Sequence, residues 1–201
     1  MLLKIDVTAG GVPTTWGAAC FRDRLFNYDA TVICRLREAE PILASKLAMV
    51  ELAGGMGYRQ PNASFTGPGT NPWDVNSWSG GSSSGPGSAV CAGPVPFAIG
   101  CETWGSILGP GNHCGVAGLR PTYGRVSRYG AMTLCWTLDK LGHLCLAADD
   151  RGLVLEAIAG ADPTVNKESH NLSFLCLPRF TIHYSRRPGA LIIGFEDEND
   201  W

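Results

Sequence analysis

Two glycine- and serine-rich stretches hold the residue types best suited to chemistry, Ser79-Gly-Gly-Ser-Ser-Ser-Gly-Pro-Gly-Ser88 and Gly100-Cys-Glu-Thr-Trp-Gly-Ser-Ile107. Small residues at this density bring backbone N–H groups and hydroxyls side by side, as an oxyanion or phosphate site requires. A flexible linker has a similar composition. A linker separates self-contained segments, however, and here Ala89-Val-Cys-Ala-Gly-Pro-Val-Pro-Phe-Ala-Ile99 follows at once, apolar enough to be buried. A Walker loop is excluded, because no Lys-Ser or Lys-Thr closes the run. Gly81-Ser-Ser-Ser-Gly85 fits the Gly-x-Ser-x-Gly pattern of a nucleophile elbow with Ser83 at its centre, but an elbow needs a strand leading into it. Asn71-Pro-Trp-Asp-Val-Asn-Ser-Trp78 reads as turn instead. No Ser-His-Asp set presents itself.

The elements that must position these stretches alternate between strand and helix patterns. Residues 2–7 read as a short strand ending at the Gly10-Gly11 turn, with loop through residue 15. Asp29 is expected to cap a helix reaching Glu40, with Val32, Ile33 and Leu36 on its buried face and Pro41 stopping it. Residues 42–44 read as a buried strand and residues 47–53 as a short helix. Residues 58–78, rich in Gly, Pro and Asn, read as a long ordered loop of the kind that usually serves function. A helix is expected to begin near Ser88, followed by a strand at residues 97–99 and a segment at 115–119 leading out of the second glycine stretch. Residues 148–159 read as an amphipathic helix burying Leu153, Leu155 and Ile158, with Gly160 closing it. Residues 162–187 read as irregular and residues 190–195 as a strand. The pattern predicts an α/β fold, a mixed twisted β-sheet flanked by helices.

With 201 residues, 45% of them hydrophobic, and a formal charge of −2, the chain can bury one good core, and its charge argues against a nucleic-acid surface. No extended apolar run follows Met1-Leu-Leu-Lys4, so neither a signal peptide nor a membrane anchor is expected, and the reading is a soluble, cytoplasmic protein. The eight cysteines are scattered singly without a Cys-x-x-Cys pair, several in apolar runs, as reduced structural thiols are. The four histidines, His113, His143, His170 and His183, show no ligand spacing, so neither a metal nor another cofactor is expected.

Gly80-Gly-Ser-Ser-Ser-Gly, Gly105-Ser106-Ile107 and Cys114-Gly-Val-Ala-Gly-Leu-Arg-Pro-Thr-Tyr-Gly-Arg-Val-Ser127 together resemble the amidase signature family, and the likeness runs in order from about residue 3 to 163. Members of that family hydrolyse or transfer amides. Carried over residue by residue, the resemblance implies Ser106 as nucleophile, Ser82 as bridging serine and Lys4 as base, with the Gly81–Ser82 peptide bond cis. Ser106 lies 24 residues beyond Ser82 and Lys4 stands ten before Thr14, both as in the family. The backbone N–H groups of Thr103, Trp104, Gly105 and Ser106 are implied as the oxyanion hole. A lysine serves as base near neutral pH only where burial disfavours its charged form, a condition that a mostly apolar strand around Lys4 would meet. Lys46 falls on a family lysine outside the triad and reads as a structural or surface charge, and Ser83 and Ser84 as local loop ties.

The chain also departs from the family pattern. Glu102 stands where Asp is usual, Trp104 for Gly, Leu108 for Arg and Ile5 for an acid, whereas Pro110 is retained. Trp104 is expected to narrow the acyl pocket or to keep the backbone from positive φ, and losing the arginine to remove a brace from the loop. Family members are commonly much longer, so one partial domain, residues 1–201, incomplete at both ends, is expected. Its exposed strand edges would favour self-association. Three functions follow: an amidase acting on small or acyl amides, a shortened homologue that binds without turnover, and an amidotransferase subunit.

Overall fold

The computed structural model describes residues 2–4, 7–54 and 64–165. All lie in the unit Met1–Val165, one of two into which the chain divides. For residues 2–4 the backbone alone is described.

A five-stranded mixed sheet organises this unit, with β1 (Leu2–Lys4), β2 (Ser45–Leu47), β5 (Phe97–Glu102), β6 (Ala117–Leu119) and β7 (Lys140–Cys145) in the order β2-β1-β5-β7-β6. The first three run parallel; β7 is antiparallel to both β5 and β6. The other strands, β3 (Thr70–Asn71) and β4 (Asp74–Trp78), pair antiparallel as a separate hairpin. The α/β class expected from the sequence is therefore the one observed.

The central strands are buried on both faces, as strands covered by helices on each side must be. On one face Ile99 and Cys101 of β5 pack with Leu141 and Cys145 of β7 against Val32, Ile33 and Leu36 of α1 (Thr31–Glu38) and Val154, Leu155 and Ile158 of α4 (Asp150–Ile158). On the other face Ala98 and Leu144 pack with Val90 of α2 (Ser84–Cys91) and with Ile107, which precedes α3 (Leu108–Cys114). Residues 98 and 99 go to opposite faces because a strand alternates its side chains with a period of two.

The α1 helix buries the three residues expected, but Asp29 does not cap it. Ala30 holds the N-cap position, while the Asp29 carboxylate accepts the Gly10 N–H at 2.7 Å and pairs with Arg37, which ties the Gly10-Gly11 turn to the helix. In α4 Leu155 and Ile158 are buried as expected, but Leu153 is 69% exposed and Val154 takes its place. Gly160, at φ 132°, lies beneath the Arg35 guanidinium, which caps the end of α4 through the carbonyls of Ile158, Gly160 and Ala161. A half-buried cation from α1 thus replaces the local glycine cap.

Tertiary ties move other boundaries. The strand expected at 42–44 falls at 45–47, with Ile42 exposed. The helix expected at 47–53 reduces to one turn at Glu51–Ala53, where Leu52 and Ala53 take positive φ. The Val50 and Leu52 N–H groups are bound instead by the carbonyls of Ser82 and Trp16. Within 58–78 the residues from 64 onward are described, and they contain the β3–β4 hairpin rather than loop alone. The α2 helix begins at Ser84, four residues before the expected Ser88, β5 extends to Glu102, and α3 and β7 had no sequence signal. Ile5, Asp6 and the strand expected at 190–195 lie outside the described residues.

Two groups, one fully buried and one half-buried, contribute to the response to acid. His143 on β7 is fully buried with Nε2 3.0 Å from the Arg151 carbonyl, and its Nδ1 has no partner among the described residues. Burial pushes its pKa down to about 4. Asp162 also feels burial, which raises its pKa, but hydrogen bonds from Ser127, Thr164 and Thr31 outweigh that effect and hold it at about 2. An unfolded histidine titrates near 6.5, so the stability due to neutral His143 is complete above that pH and is lost as pH falls toward 4. The part due to Asp162 is complete above about pH 4 and is lost toward pH 2. Urea unfolding from pH 7 to 2.5 is expected to show both windows, each with a slope of at most about 1.4 kcal/mol per pH unit. His143→Leu should flatten the first window alone, and an unchanged slope between pH 6.5 and 4 would count against this assignment.

Candidate active site

The parallel strands β2, β1 and β5 direct their carboxyl ends to one edge of the sheet, where open α/β sheets place their sites. Lys4 closes β1 there, opposite Leu47 of β2 and one residue beyond Leu3, which pairs with Ile99 of β5. The chain leaving β5 becomes the 103–106 turn, and the chain leaving β2 meets the serine-rich turn through hydrogen bonds at Ala48 and Val50.

That turn is held from several sides. Ser82 is 1% exposed, Ser83 and Ser84 are buried, and the Gly81–Ser82 peptide bond is cis, as the family resemblance implied. The Ser82 carbonyl accepts the Val50 N–H at 3.1 Å, and the Ala48 carbonyl accepts the Gly85 N–H at 3.0 Å. Ser79 donates its hydroxyl to the carbonyls of Gly69 and Ser84, and Ser83 donates its own to Cys101 on β5. Ser83 therefore ties the turn to β5, 18 residues on, rather than locally, while Ser84 contributes its carbonyl to Ser79. Gly100 permits the close packing, because a Cβ there would stand 2.8 Å from the Ser83 hydroxyl oxygen. Cys114 lies beneath the turn, and burial pushes its pKa up to about 12, so the thiol keeps its proton and donates to the Ser79 carbonyl.

The second turn meets the first directly, since the Ser83 N–H donates to the Ser106 carbonyl at 3.1 Å. Ser106 is 3% exposed, so two buried serines stand on backbone segments joined by one hydrogen bond. Gly105 takes φ 81°, a conformation that suits glycine. The N–H groups of Thr103, Gly105 and Ser106 meet no acceptor among the described residues. Trp104 is 81% exposed and, as one of the two expectations had it, not at positive φ, and Gly105 takes the left-handed turn in its stead.

Three charged residues whose bracing role the sequence did not reveal hold this turn. Glu102, fully buried, accepts the N–H groups of Ile107 and Leu108 at 2.7 and 3.0 Å, and Arg120 pairs with its other oxygen at 3.3 Å. Leu108 contributes only its backbone N–H here, and the cation beside the turn is Arg120, from beyond β6. No local pattern joins residues 18 apart in sequence, although an acid ending an apolar strand signals that a partner must exist. The third is Asp139, which accepts the Thr103 hydroxyl at 2.5 Å. Lys46 donates to the Val7 carbonyl at 2.6 Å and to the Thr14 hydroxyl, tying β2 to the chain beyond β1. Its neighbour Lys4 is placed by its backbone alone.

No cluster of three or more His, Cys, Asp or Glu able to hold a metal occurs among the described residues. The seven described cysteines are free thiols. No described helix is long and apolar enough to cross a membrane.

Comparison with known proteins places this geometry among relatives. Residues 1–198 match the family model described as Amidase. The chain is 47% identical over 163 residues to a glutamyl-tRNA(Gln) amidotransferase subunit of Moorella thermoacetica, covering 81% of this chain and 33% of that protein. It is 45% identical over 165 residues to the corresponding Geobacillus kaustophilus protein, covering 80% and 33%. Among solved structures, the corresponding glutamyl-tRNA(Gln) amidotransferase subunit from Thermotoga maritima superposes with a TM-score of 0.76 at 35% identity, over 81% of this chain and 35% of that one. The native peptide amidase of Stenotrophomonas maltophilia gives 0.74 at 35% identity, over 81% and 34%. The chain spans about a third of the length of these relatives.

The Glu102 brace yields a prediction about stability. Glu102→Ala strands two buried N–H groups and is expected to cost about 2–4 kcal/mol, with Glu102→Gln costing less because the amide oxygen still accepts. Arg120→Ala, which removes a half-exposed cation, should cost no more than about 1 kcal/mol. Chemical denaturation of the three variants measures the order, and a larger loss for Arg120→Ala would show that the ion pair, not the backbone contact, dominates.

Proposed function

The chain belongs to the amidase family, and from that premise we propose that it carries the nucleophilic centre of an enzyme cleaving the C–N bond of a carboxylic amide. Ser106 attacks the amide carbonyl, its proton passing to the Ser82 oxygen while Ser82 passes its own to the neutral amine of Lys4. The carbonyl oxygen becomes an oxyanion, received by the N–H groups of the 103–106 turn. The tetrahedral intermediate then collapses, the C–N bond breaks, and the leaving amine takes back the proton from Lys4 through Ser82. Water repeats the sequence on the acyl-Ser106 ester and releases the acid.

The observation that carries this reading is the 3.1 Å bond from the Ser83 N–H to the Ser106 carbonyl, which joins the residue after Ser82 to the proposed nucleophile. Burial of both serines supports it, because excluding water strengthens the hydrogen bonds and charges inside the site. So do the open N–H groups of Thr103, Gly105 and Ser106. The alternative is binding without turnover, for which Trp104 and Leu108 stand where the family usually has Gly and Arg, but Gly105 carries the positive φ of the turn and Arg120 places a cation beside Glu102.

A fluorophosphonate probe separates the two. Labelling is expected at Ser106, with Ser106→Ala abolishing it and leaving circular dichroism unchanged; absence of an adduct, or an adduct at Ser83, would favour the binding reading. The base is tested by pH. Labelling should rise with pH and level off once Lys4 is neutral, and Lys4→Ala should flatten the profile. A profile unchanged in Lys4→Ala would transfer the role to another group, with Lys46 the first to examine.

A further inference from the structure

We propose that Asp139 is a positioning residue for the amidase site, holding the oxyanion turn in place through the hydroxyl of Thr103; the inference rests on the reading of Ser106 as nucleophile. Asp139 immediately precedes β7 and is 8% exposed. One carboxylate oxygen accepts the Thr103 hydroxyl at 2.5 Å. The other accepts the N–H groups of Leu134 and Cys135 at 2.7 and 2.8 Å. Three donors on one buried carboxylate compensate its desolvation, and charge-assisted bonds of this kind are the strong ones.

The placement of these bonds matters more than their number. Thr103 is the first residue of the turn that ends at Ser106, and it is gripped twice, since Lys140, paired with Glu102 across the ladder, also donates from Nζ to the Thr103 carbonyl at 3.0 Å. Glu102 grips the opposite end through the N–H groups of Ile107 and Leu108. The four residues 103–106 are therefore clamped at both ends by buried carboxylates, with the N–H groups of Thr103, Gly105 and Ser106 open between the clamps. An oxyanion hole works only if its donors are aimed before charge develops, and a displacement of about 1 Å can cost roughly 10²-fold in rate. Asp139 also folds residues 134–139 back on themselves, so a stapling role for that loop alone has to be separated from an effect on the turn.

Substitutions at Thr103 make the separation, because they leave the Leu134 and Cys135 bonds in place. Fluorophosphonate inactivation at Ser106 should be measured as a function of probe concentration, which divides the maximal rate from the half-saturating concentration. Thr103→Val, nearly isosteric, is expected to lower the maximal rate by about 10–100-fold with the half-saturating concentration within about threefold of the parent. Thr103→Ser, which keeps the hydroxyl, should remain within about threefold on both. Asp139→Ala, which removes the acceptor altogether, should be no slower when combined with Thr103→Val than alone, since the Thr103 bond is already broken in it. Full reactivity in Thr103→Val, an equal loss in Thr103→Ser, or additive losses in the double variant would each overturn the proposal. A parent chain that takes no label at Ser106 would instead refute the amidase reading, and this inference with it.

Discussion

One backbone hydrogen bond, from the Ser83 N–H to the Ser106 carbonyl, holds the candidate site together. Each of the turns it joins leaves a different element, the first leading into α2 and the second arising from β5. Neither has enough side-chain bulk to pack by itself, so each depends on being held by its neighbours. Gly100 allows the approach, and the Ser83 hydroxyl, anchored on Cys101, fixes its direction. If that seam opened, Ser82 and Ser106 would still lie in the same protein but no longer in a shared, water-excluded geometry.

The seam survives because charges buried around it are spent on backbone groups. Glu102 and Asp139 together accept four backbone N–H groups and one hydroxyl, and of the two only Glu102 also meets a cation among the described residues. Carboxylates buried in this way are compensated by geometry, which makes them rigid supports as well as stabilising ones. The same logic recurs on the opposite face of the sheet. Arg35 satisfies the carbonyls at the end of α4, and Asp162 gathers the hydroxyls of Thr31 and Ser127, so α1, residue 127 and the chain beyond α4 are joined through polar atoms. The apolar clusters supply the cohesion between layers, while these polar clasps decide where the loops lie.

Lys46 and Trp104 illustrate how position changes the meaning of a residue type. Lysines at 4 and 46 lie on adjacent parallel strands, and the side chain of Lys46 donates to the Val7 carbonyl and the Thr14 hydroxyl. Trp104, in a turn otherwise made of small residues, projects outward and leaves the required backbone conformation to Gly105. Substituting a bulky residue next to a glycine therefore need not close a turn, provided that the glycine bears the positive φ.

What was legible in the sequence was what depends on short-range pattern. The α/β class, the buried faces of α1 and most of α4, the glycine and serine stretches and the 24-residue interval between Ser82 and Ser106 are all properties of neighbours along the chain, and they emerge at or close to the expected places. The tertiary structure decided the rest. Residues 47–53 have helix-forming composition, but the Ser82 and Trp16 carbonyls capture their N–H groups and prevent the helix. Asp29 has the chemistry of a cap and is taken by a glycine turn 19 residues away. The short α3 and β7 had no pattern strong enough to announce them, and the braces Arg120 and Asp139 act on Glu102 and Thr103 across 18 and 36 residues. Hydrogen-bond partners of a buried charge are chosen by where the folded chain brings donors together, and no period or motif along the sequence encodes that distance.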